Sequence, residues 1–337
     1  MASLLGLTIL SFFISIILLV PFIDFLYRAK LRRQHQETRD MFNERTPLFD
    51  KFNKWKVGTP VGGGILIIII TTVITLWSYG ILAVAVKGWE LFVILFSFIG
   101  FGLLGFYDDW KKIVGADKKG SFFGLRFRHK FIIQWILAFI IASVFYFELG
   151  YSFLFIHGVG LIGIGALFIP FAAFVIVSFV NAVNITDGLD GLASGLVVIC
   201  LVGFLAINSQ QIDRSLGVFI SVLLGSVMAF LYFNIYKARI WVGDVGALSM
   251  GAALAVIGLL TGKTLTLAVI GGVFIIEIAS SLLQILSKKY FKRKLFPVAP
   301  FHLYLQQRGW EEPKIVMRAW LIGIFFAVLG VYLGLVT

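Results

Sequence analysis

Residues 161–191, LIGIGALFIPFAAFVIVSFVNAVNITDGLDG, decide the fold. Positions 161–180 carry no charged side chain, and a helix of about that length crosses a hydrocarbon core of about 30 Å. Polar residues and glycines follow directly at 181–191. The stretch therefore predicts a membrane-spanning helix that ends in a polar segment at one face of the bilayer.

The composition extends this interpretation to the whole chain. Of the 337 residues, 60% are hydrophobic and 14% are charged, whereas a soluble domain has about 25% charged residues. We therefore predict an all-α polytopic membrane protein, a single integral membrane domain over residues 1–337. The ten predicted transmembrane spans are residues 3–27, 61–80, 89–107, 129–148, 161–180, 190–207, 216–232, 246–261, 264–287 and 314–335.

The basic residues predict the orientation of the chain. All 29 lysines and arginines except Lys87, Arg214 and Lys263 lie in or beside the first, third, seventh and ninth connections. Basic residues gather in cytoplasmic loops, so we expect both termini outside and the odd-numbered connections inside. The net charge of +12 then reflects topology and not nucleic-acid binding. On the outer side, residues 149–160 are typical of a small hairpin.

Acidic residues stand at the ends of several spans. A carboxylate beside a bilayer is costly and usually has a function. The predicted topology puts these residues, which come from three connections, at the cytoplasmic face, so they can line one cavity there. They are Asp108, Asp109, Asp187, Asp190 and Asp244, and Glu277 within the ninth span is a further candidate.

The segment 181–191 has a polar residue at every third position, at 181, 184, 187 and 190. Helical neighbours three residues apart share a face, so this spacing predicts a polar stripe. Gly188 and Gly191 would allow close approach of a ligand or of another backbone. A helix cap is the alternative, but a cap accounts for only one aspartate.

Asp108 and Asp109 are adjacent at the end of the third span. Two neighbouring carboxylates repel each other unless a cation or a proton offsets their charge. The pair is therefore a candidate catalytic site, although Lys111 and Lys112 could simply neutralise it at the surface.

Asp244 lies between Gly243 and Gly246 at the start of the eighth span. Mg²⁺ typically takes one or two carboxylates together with phosphate oxygens and water, so this position suits a metal bound to a phosphate. The alternative is a helix N-cap.

Two further segments carry positive or titratable groups. Lys56-Val57-Gly58-Thr59-Pro60, followed by three glycines at 62–64, exposes backbone amides next to a cation, which suits phosphate binding. His302 lies in the basic ninth connection, where a lone histidine is often incidental. Together with the acids, these segments predict a cytoplasmic pocket for Mg²⁺ and a diphosphate.

These segments, in this order and spacing, resemble the polyprenyl-phosphate N-acetylhexosamine-1-phosphate transferases over essentially the whole chain. Within that family, Lys56-x-Gly58-Thr59-Pro60, Gly271-Gly272-Val273-Phe274 before Glu277, and Gly309-Trp310-x-Glu312-Pro313 are similar to the branch that acts on a muramoyl-pentapeptide substrate.

The resemblance implies a homodimer in the bacterial cytoplasmic membrane with its active site at the cytoplasmic face. It implies transfer of phospho-N-acetylmuramoyl-pentapeptide from its UDP carrier to undecaprenyl phosphate, which yields lipid I for peptidoglycan and releases UMP. It implies Mg²⁺ on Asp244 and catalytic roles for Asp108, Asp109, Asp244 and His302. The implied substrate-binding residues are Lys56, Thr59, Lys111, Lys119, Asn181, Asn184, Asp187, Asp190, Asn234, Trp241 and Gly243.

Two alternatives concern the function. The family usually has three consecutive histidines where this chain has His302-Leu303-Tyr304, which leaves open the transfer of N-acetylglucosamine-1-phosphate to the same lipid. A secondary transporter is more remote, because transporters usually place binding groups near mid-membrane between repeated halves. For the transferase, we favour direct attack by the lipid phosphate with help from Asp108 over a covalent intermediate on Asp108.

Overall fold

The computed structural model describes residues 1–32, 45, 50, 52, 54–82, 84, 86–115, 125, 127–211 and 213–336. Most of this chain is helical. The helices are α1 (Ala2–Arg28), α2 (Gly63–Ile81), α3 (Gly88–Gly115), α4 (Phe127–Phe147), α5 (Phe168–Thr186), α6 (Leu192–Gln211), α7 (Arg214–Asn234), α8 (Gly243–Leu260), α9 (Thr264–Ile270), α10 (Gly272–Phe291), α11 (Phe301–Gln307) and α12 (Glu312–Leu335).

Within the described ranges, nine helices are long and apolar enough to cross a membrane, namely α1 to α8 and α12. The pair α9 and α10 passes the same test jointly and supplies a tenth segment. This architecture confirms the predicted all-α polytopic membrane fold with about ten transmembrane helices.

The predicted ninth span, 264–287, is not one straight helix. The chain bends by 82° between α9 and α10, at Gly271. A Cβ atom on Gly271 would lie 2.6 Å from the ring of Phe179, and one on Gly272 would lie 2.9 Å from the ring of Phe326. The two glycines therefore let aromatic rings of α5 and α12 pack at the break, which hydrophobicity alone does not reveal.

The predicted span 161–180 begins later than expected. Residues Gly160–Gly163 form a strand that pairs with Phe153–Ile156 in an antiparallel hairpin, with Leu154 opposite Ile162. This confirms a hairpin in the connection before α5 and moves its end to Gly163. Gly165, at φ +55°, then leads into the helix, and apolar strand residues cannot be distinguished from the start of a span by hydropathy.

Helix α8 lies at the centre, and glycines bring its neighbours into backbone contact. A Cβ on Gly105 of α3 would lie 2.3 Å from the carbonyl oxygen of Asp244, and one on Gly251 of α8 would lie 2.7 Å from the carbonyl oxygen of Phe179 in α5. Such close contacts require glycine. They bring α3 against the first turn of α8 and pack α5 against α8 about two turns further along.

The segment before α2 is joined to the segment before α8 by backbone hydrogen bonds. Trp241 N donates to Pro60 O at 2.8 Å, and the amides of Gly62 and Gly63 donate to Trp241 O at 3.1 and 3.0 Å. Gly62 has φ +120°, which other residues rarely adopt. The glycine-rich turn at 62–64 thus connects two helix starts beside the site.

Candidate active site

Carboxylates from α3 and α8 converge with side chains from α4 and α5. Asp108 and Asp109 lie one turn beyond Gly105, the residue at which α3 contacts the backbone of Asp244. We call this group the Asp244 cluster. Its members are Asp108, Asp109, Lys112, Lys130, Asn184 and Asp244.

Two lysine ammonium groups bind the carboxylates of this cluster. Lys112 Nζ lies 2.7 Å from Asp244 Oδ2, 3.0 Å from Asp108 Oδ2 and 3.7 Å from Asp109 Oδ1. Lys130 Nζ lies 2.5 Å from Asp244 Oδ2 and 3.1 Å from Asp108 Oδ2. The oxygens of Asp108 and Asp244 therefore share the same two cations, which offsets the repulsion of the closely spaced acids.

Backbone amides fix the carboxylates of α3. Asp109 Oδ2 accepts from Val245 N at 3.2 Å, and Asp108 Oδ1 accepts from Leu125 N at 2.6 Å. Gly243 has φ +74°, and a Cβ there would lie 2.6 Å from Asp109 Oδ2. Gly243 thus makes room for the carboxylate of Asp109.

Asp244 does not act as a helix cap. Val242 is the N-cap residue of α8, and no side chain caps that helix end. The carboxylate of Asp244 instead accepts from Lys112, Lys130 and Asn184 Nδ2, the last at 3.0 Å.

The polar residues at 181–190 do not form one stripe, because α5 ends at Thr186. Asn184 reaches Asp244, whereas Asn181 Nδ2 donates to Gln134 Oε1 at 2.8 Å. Asp187 ends the helix within the electrostatic reach of the cluster. Burial, and then the negative charge of Asp244, raises the pKa of Asp187 well above its usual value.

A second group lies next to the Asp244 cluster, and we call it the Lys56 triad: Lys56, Asp190 and Glu312. Lys56 is 1% exposed, and its Nζ lies 2.6 Å from Glu312 Oε1 and 3.3 Å from Asp190 Oδ1. The same ammonium lies 4.7 Å from the ring centroid of Trp241. The triad thus contains two predicted substrate-binding residues, Lys56 and Asp190, and a third, Trp241, lies against it.

Asn234 stabilises the loops around this triad. Its Oδ1 accepts from Gly191 N at 3.2 Å and from Ser194 Oγ at 2.7 Å, and its Nδ2 donates to Ile240 O at 2.9 Å. The predicted substrate-binding residue Asn234 thus connects the turn at Gly191 to the segment that leads to Trp241.

His302 is buried in α11 and paired with a carboxylate. Its Nδ1 lies 2.9 Å from Glu277 Oε2, and Glu277 Oε1 also accepts from His302 N at 3.2 Å. A Cβ on Gly188 would lie 2.4 Å from His302 Nε2, so the imidazole covers the turn that follows Asp187. Two candidates from the sequence, His302 and Glu277, therefore form one pair beside that turn.

Two predicted substrate-binding residues, Lys111 and Thr59, are placed differently, and a third lies in a segment that is not described. Lys111 Nζ lies 4.6 Å from the ring centroid of Tyr107, its neighbour on α3. Thr59 is partly buried in the turn after Lys56, where its amide donates to Lys56 O at 3.3 Å. Lys119 lies outside the described residues.

Sequence reasoning missed Lys130 and assigned Lys112 only to neutralisation at the surface. In the sequence Lys130 resembles the other basic residues of the third connection, yet it lies in the first turn of α4 and binds carboxylates of two other helices, α3 and α8. The available sequence signal for Lys130 was its position at the boundary of an apolar span, on the same side of the membrane as the acidic span ends.

The donor atoms suit a metal shared with a substrate. Across the part of the chain that the structure describes, no three His, Cys, Asp or Glu side chains could hold a metal ion by themselves. Asp108 and Asp244 nevertheless direct carboxylate oxygens toward the same two lysine ammonium groups. Mg²⁺ needs only one or two carboxylates when phosphate and water complete its coordination shell. These residues fit Mg²⁺ bound together with a diphosphate.

The apolar helix bundle and the acidic site at its end belong to a class of membrane-embedded transferases. Residues 91–262 match the profile of glycosyl transferase family 4, and this segment contains Asp108, Asp109, Asp187 and Asp244. The protein is therefore a multi-pass membrane transferase.

Curated relatives specify the family. The chain is 36% identical to the phospho-N-acetylmuramoyl-pentapeptide-transferase of Geobacillus sp. (strain WCH70), over 96% of each chain. It is 33% identical to the phospho-N-acetylmuramoyl-pentapeptide-transferase of Bacillus subtilis (strain 168), again over 96% of each chain. The chain belongs to the phospho-N-acetylmuramoyl-pentapeptide-transferase family.

Proposed function

We propose that this protein transfers phospho-N-acetylmuramoyl-pentapeptide from UDP to undecaprenyl phosphate and so makes lipid I for peptidoglycan. An oxygen of the lipid phosphate forms a bond to the sugar-bearing phosphorus of the UDP-linked substrate. The bond from that phosphorus to the bridging oxygen breaks, and UMP leaves with the electron pair.

The observation that carries this proposal is the Asp244 cluster. Phosphoryl transfer needs alignment and charge stabilisation more than covalent chemistry by the protein. Two lysines and three aspartates at the ends of α3, α4 and α8 provide fixed charges of both signs at one end of a membrane helix bundle. The full-length similarity to named transferases supports the substrate assignment.

Asp244, with Asp108 beside it, would hold Mg²⁺. When bound, the ion would neutralise charge on the diphosphate oxygens and on the departing UMP. Lys112 and Lys130 would turn from their carboxylates to phosphate oxygens, because their ammonium groups already lie between Asp108 and Asp244.

The lipid phosphate needs little deprotonation, since its second pKa is about 6 and it is mostly dianionic at neutral pH. We therefore favour direct attack, with Asp108 and Asp109 orienting the reacting groups. A phospho-sugar covalently trapped on Asp108 in a reaction without lipid would contradict this mechanism.

The nucleotide would bind on the side of Trp241, Asn234 and Asp187. Trp241 offers an aromatic face beside Lys56, and an aromatic face can stack on a base. Asn181, Asp190, Gly243, Thr59, Lys111 and Lys119 stay predicted binding residues. We further propose that the site faces the cytoplasm of a bacterium and that the protein is a homodimer.

The assay that tests the reaction uses purified protein with Mg²⁺, undecaprenyl phosphate and either UDP-N-acetylmuramoyl-pentapeptide or UDP-N-acetylglucosamine. We expect UMP and lipid product with the first substrate only. Product formed from UDP-N-acetylglucosamine alone would establish the sister activity, which the His302-Leu303-Tyr304 sequence keeps in question.

Asp244→Asn tests the metal site, because the amide keeps the shape and loses the charge. We expect a fall in kcat of at least about 100-fold, similar to the loss of a group that stabilises a transition state. EDTA should abolish wild-type activity, and added Mg²⁺ should restore it. The exposed residue Asp24 supplies the control variant Asp24→Asn. Full activity of Asp244→Asn would contradict the assignment.

A further inference from the structure

Glu312 is a buried carboxylate outside the Asp244 cluster. It lies in the first turn of α12 and is 7% exposed. Its Oε1 accepts from two donors at once, Lys56 Nζ at 2.6 Å and the backbone N of Asp190 at 2.6 Å. Glu312 therefore links the segment before α2 to the turn between α5 and α6.

Trp320, two helical turns further along α12, holds the next residue of the same turn. Its Nε1 donates to Gly191 O at 3.2 Å. A Cβ on Gly195 would lie 2.2 Å from Trp320 Nε1, so the indole is packed directly against the start of α6. One helix thus binds two consecutive residues of the turn, Asp190 and Gly191.

This turn also carries Asp187 and Gly188, which connect it to the Asp244 cluster and to His302. Asp187 and Gly188 lie three and two residues before Asp190. The charge of Asp244 acts on Asp187, and Gly188 lies under the imidazole of His302. Lys56 Nζ also donates to Gly188 O at 3.3 Å. A displacement of Lys56 or of the Asp190 amide would therefore move both Asp187 and the backbone beneath His302.

The charges of the triad argue against a role in stability alone. Lys56 is shared by two buried carboxylates, so the triad carries one excess negative charge if all three groups are ionised. Buried ion pairs are often no more stabilising than apolar residues of similar size, and a second buried carboxylate adds a desolvation penalty. One oxygen of Glu312 binds both a lysine and a backbone amide. This geometry is explained if Glu312 fixes the positions of Lys56 and of the Asp190 amide.

We infer that Glu312, with Trp320 as a second anchor, is a positioning residue that sets the turn 187–191 for nucleotide binding. The inference rests on the proposed function, because it assumes that this turn binds the UDP portion of the substrate. Neither residue touches the reacting atoms. Both act through Lys56, Asp190 and Gly191.

The test compares Glu312→Ala, Glu312→Gln and Trp320→Phe in full-length protein. Two readouts are needed: KM and kcat for the UDP-linked substrate, and the Kd of UDP itself by calorimetry in the absence of lipid. Glu311→Ala is the matched control, because Glu311 is the preceding acidic residue, is exposed and makes no side-chain cap.

We expect Glu312→Ala to raise both KM and the Kd of UDP by at least about 10-fold, since two hydrogen bonds to a buried carboxylate are lost. The kcat should fall by less than about 3-fold, because the groups of the Asp244 cluster are unchanged. Glu312→Gln keeps an acceptor for the Asp190 amide and should show a smaller rise. Trp320→Phe keeps the packing, loses one hydrogen bond and should raise KM by about 3-fold. Glu311→Ala should match the wild type.

A fall in kcat with unchanged KM and unchanged UDP affinity would overturn the inference. If Glu312→Ala fails to fold, Glu312→Gln decides: wild-type UDP affinity in that variant would restrict Glu312 to folding and overturn the inference. A wild-type protein that binds UDP but releases no UMP would contradict the proposed reaction. The effect of Glu312 on the Kd of UDP could still be measured in that case. A wild type that binds no UDP would overturn both.

Discussion

At the scale of single residues, the site depends on which lysines face the carboxylates. Lys112 and Lys130 bind Asp108 and Asp244, whereas Lys111 lies over Tyr107. Consecutive positions on a helix point about 100° apart, so neighbouring Lys111 and Lys112 face different surroundings. Lysines that bind the carboxylates can therefore be compared with a neighbouring lysine that does not.

We predict that Lys112→Met and Lys130→Met each lower kcat by about 100-fold, because each removes a cation that would neutralise the transition-state charge. Lys111→Met should change kcat by less than about 3-fold, since Lys111 Nζ lies over Tyr107 and not between the carboxylates. Its predicted role in substrate binding would appear in KM instead. Steady-state UMP release with matched protein amounts is the measurement. Equal losses in all three variants would contradict the geometry of the cluster.

Asp187 leads to a prediction about pH. Its folded-state pKa is raised by burial and by Asp244, so the ionised carboxylate destabilises the folded protein when no ligand is bound. This destabilisation is absent below the unfolded-state pKa and grows as the pH rises toward the folded-state pKa. Asp187→Asn should therefore raise Tm at neutral pH, on the order of 2 °C, with no gain at acidic pH.

Thermal unfolding in detergent across a pH series checks this prediction. Glu148→Gln, at an exposed position beyond the end of α4, should leave the difference between the two pH values unchanged. The same Asp187→Asn protein should bind UDP less tightly if the carboxylate serves the nucleotide site. A uniform gain in Tm at every pH would rule out ionisation of Asp187 as its cause.

The sequence could identify acids at span ends but not their partners. Asp108, Asp109 and Asp244 were recognisable because carboxylates beside apolar spans are rare and costly. Lys130 was not, because a basic residue in a cytoplasmic loop has an ordinary explanation. Glu312 entered only as part of a family motif, because an acid at a helix start is ordinary too. Their roles depend on contacts between positions more than 100 residues apart, which local patterns do not contain.

At the scale of helices and strands, hydropathy located nearly every span but not the irregular features. The break at Gly271 and the strand at Gly160–Gly163 both lie in apolar sequence. The break is associated with the packing of Gly271 and Gly272 against Phe179 and Phe326, which is a tertiary contact. The strand is bounded by glycines with positive φ, Gly160 and Gly165. Charged residues did not mark helix ends either: the third predicted span ends at residue 107, whereas α3 continues through the charged residues to Gly115.

The contact of α3 with α8 at Gly105 is the helix packing that forms the site. In Gly105→Ala, the new Cβ would lie 2.3 Å from the carbonyl oxygen of Asp244, so the helices must separate. Overpacking of this kind destabilises a protein by about 1–3 kcal/mol. We expect a lower Tm together with a larger loss of kcat, because Asp109 would move away from the amide of Val245.

Gly80→Ala is the control for this substitution. Gly80 lies in α2, and a Cβ there would meet nothing within 4 Å. Replacing a helical glycine with alanine at such a site stabilises by roughly 0.4–1 kcal/mol. Wild-type activity and stability in Gly105→Ala would show that α3 and α8 are not in backbone contact.

At the scale of the whole molecule, the charges of the loops and the position of the site are coupled. The Asp244 cluster, the Lys56 triad and the His302–Glu277 pair lie at helix ends on the side of the basic connections, whereas the hairpin Phe153–Gly163 lies at the other ends of α4 and α5. If basic residues stay in the cytoplasm, every candidate catalytic group faces the compartment where nucleotide-linked sugars are made.

Cysteine accessibility tests this orientation directly. The chain has one cysteine, Cys200, which is buried, so Cys200→Ala should give an unreactive and folded background. In that background, Glu311→Cys beside the Lys56 triad should react with a membrane-impermeant maleimide only after the cells are opened. Val159→Cys at the exposed hairpin tip should react in intact cells. The reverse pattern would place the acidic site outside, where UDP-linked substrate is absent, and the proposed reaction would then be untenable even with the cluster geometry intact.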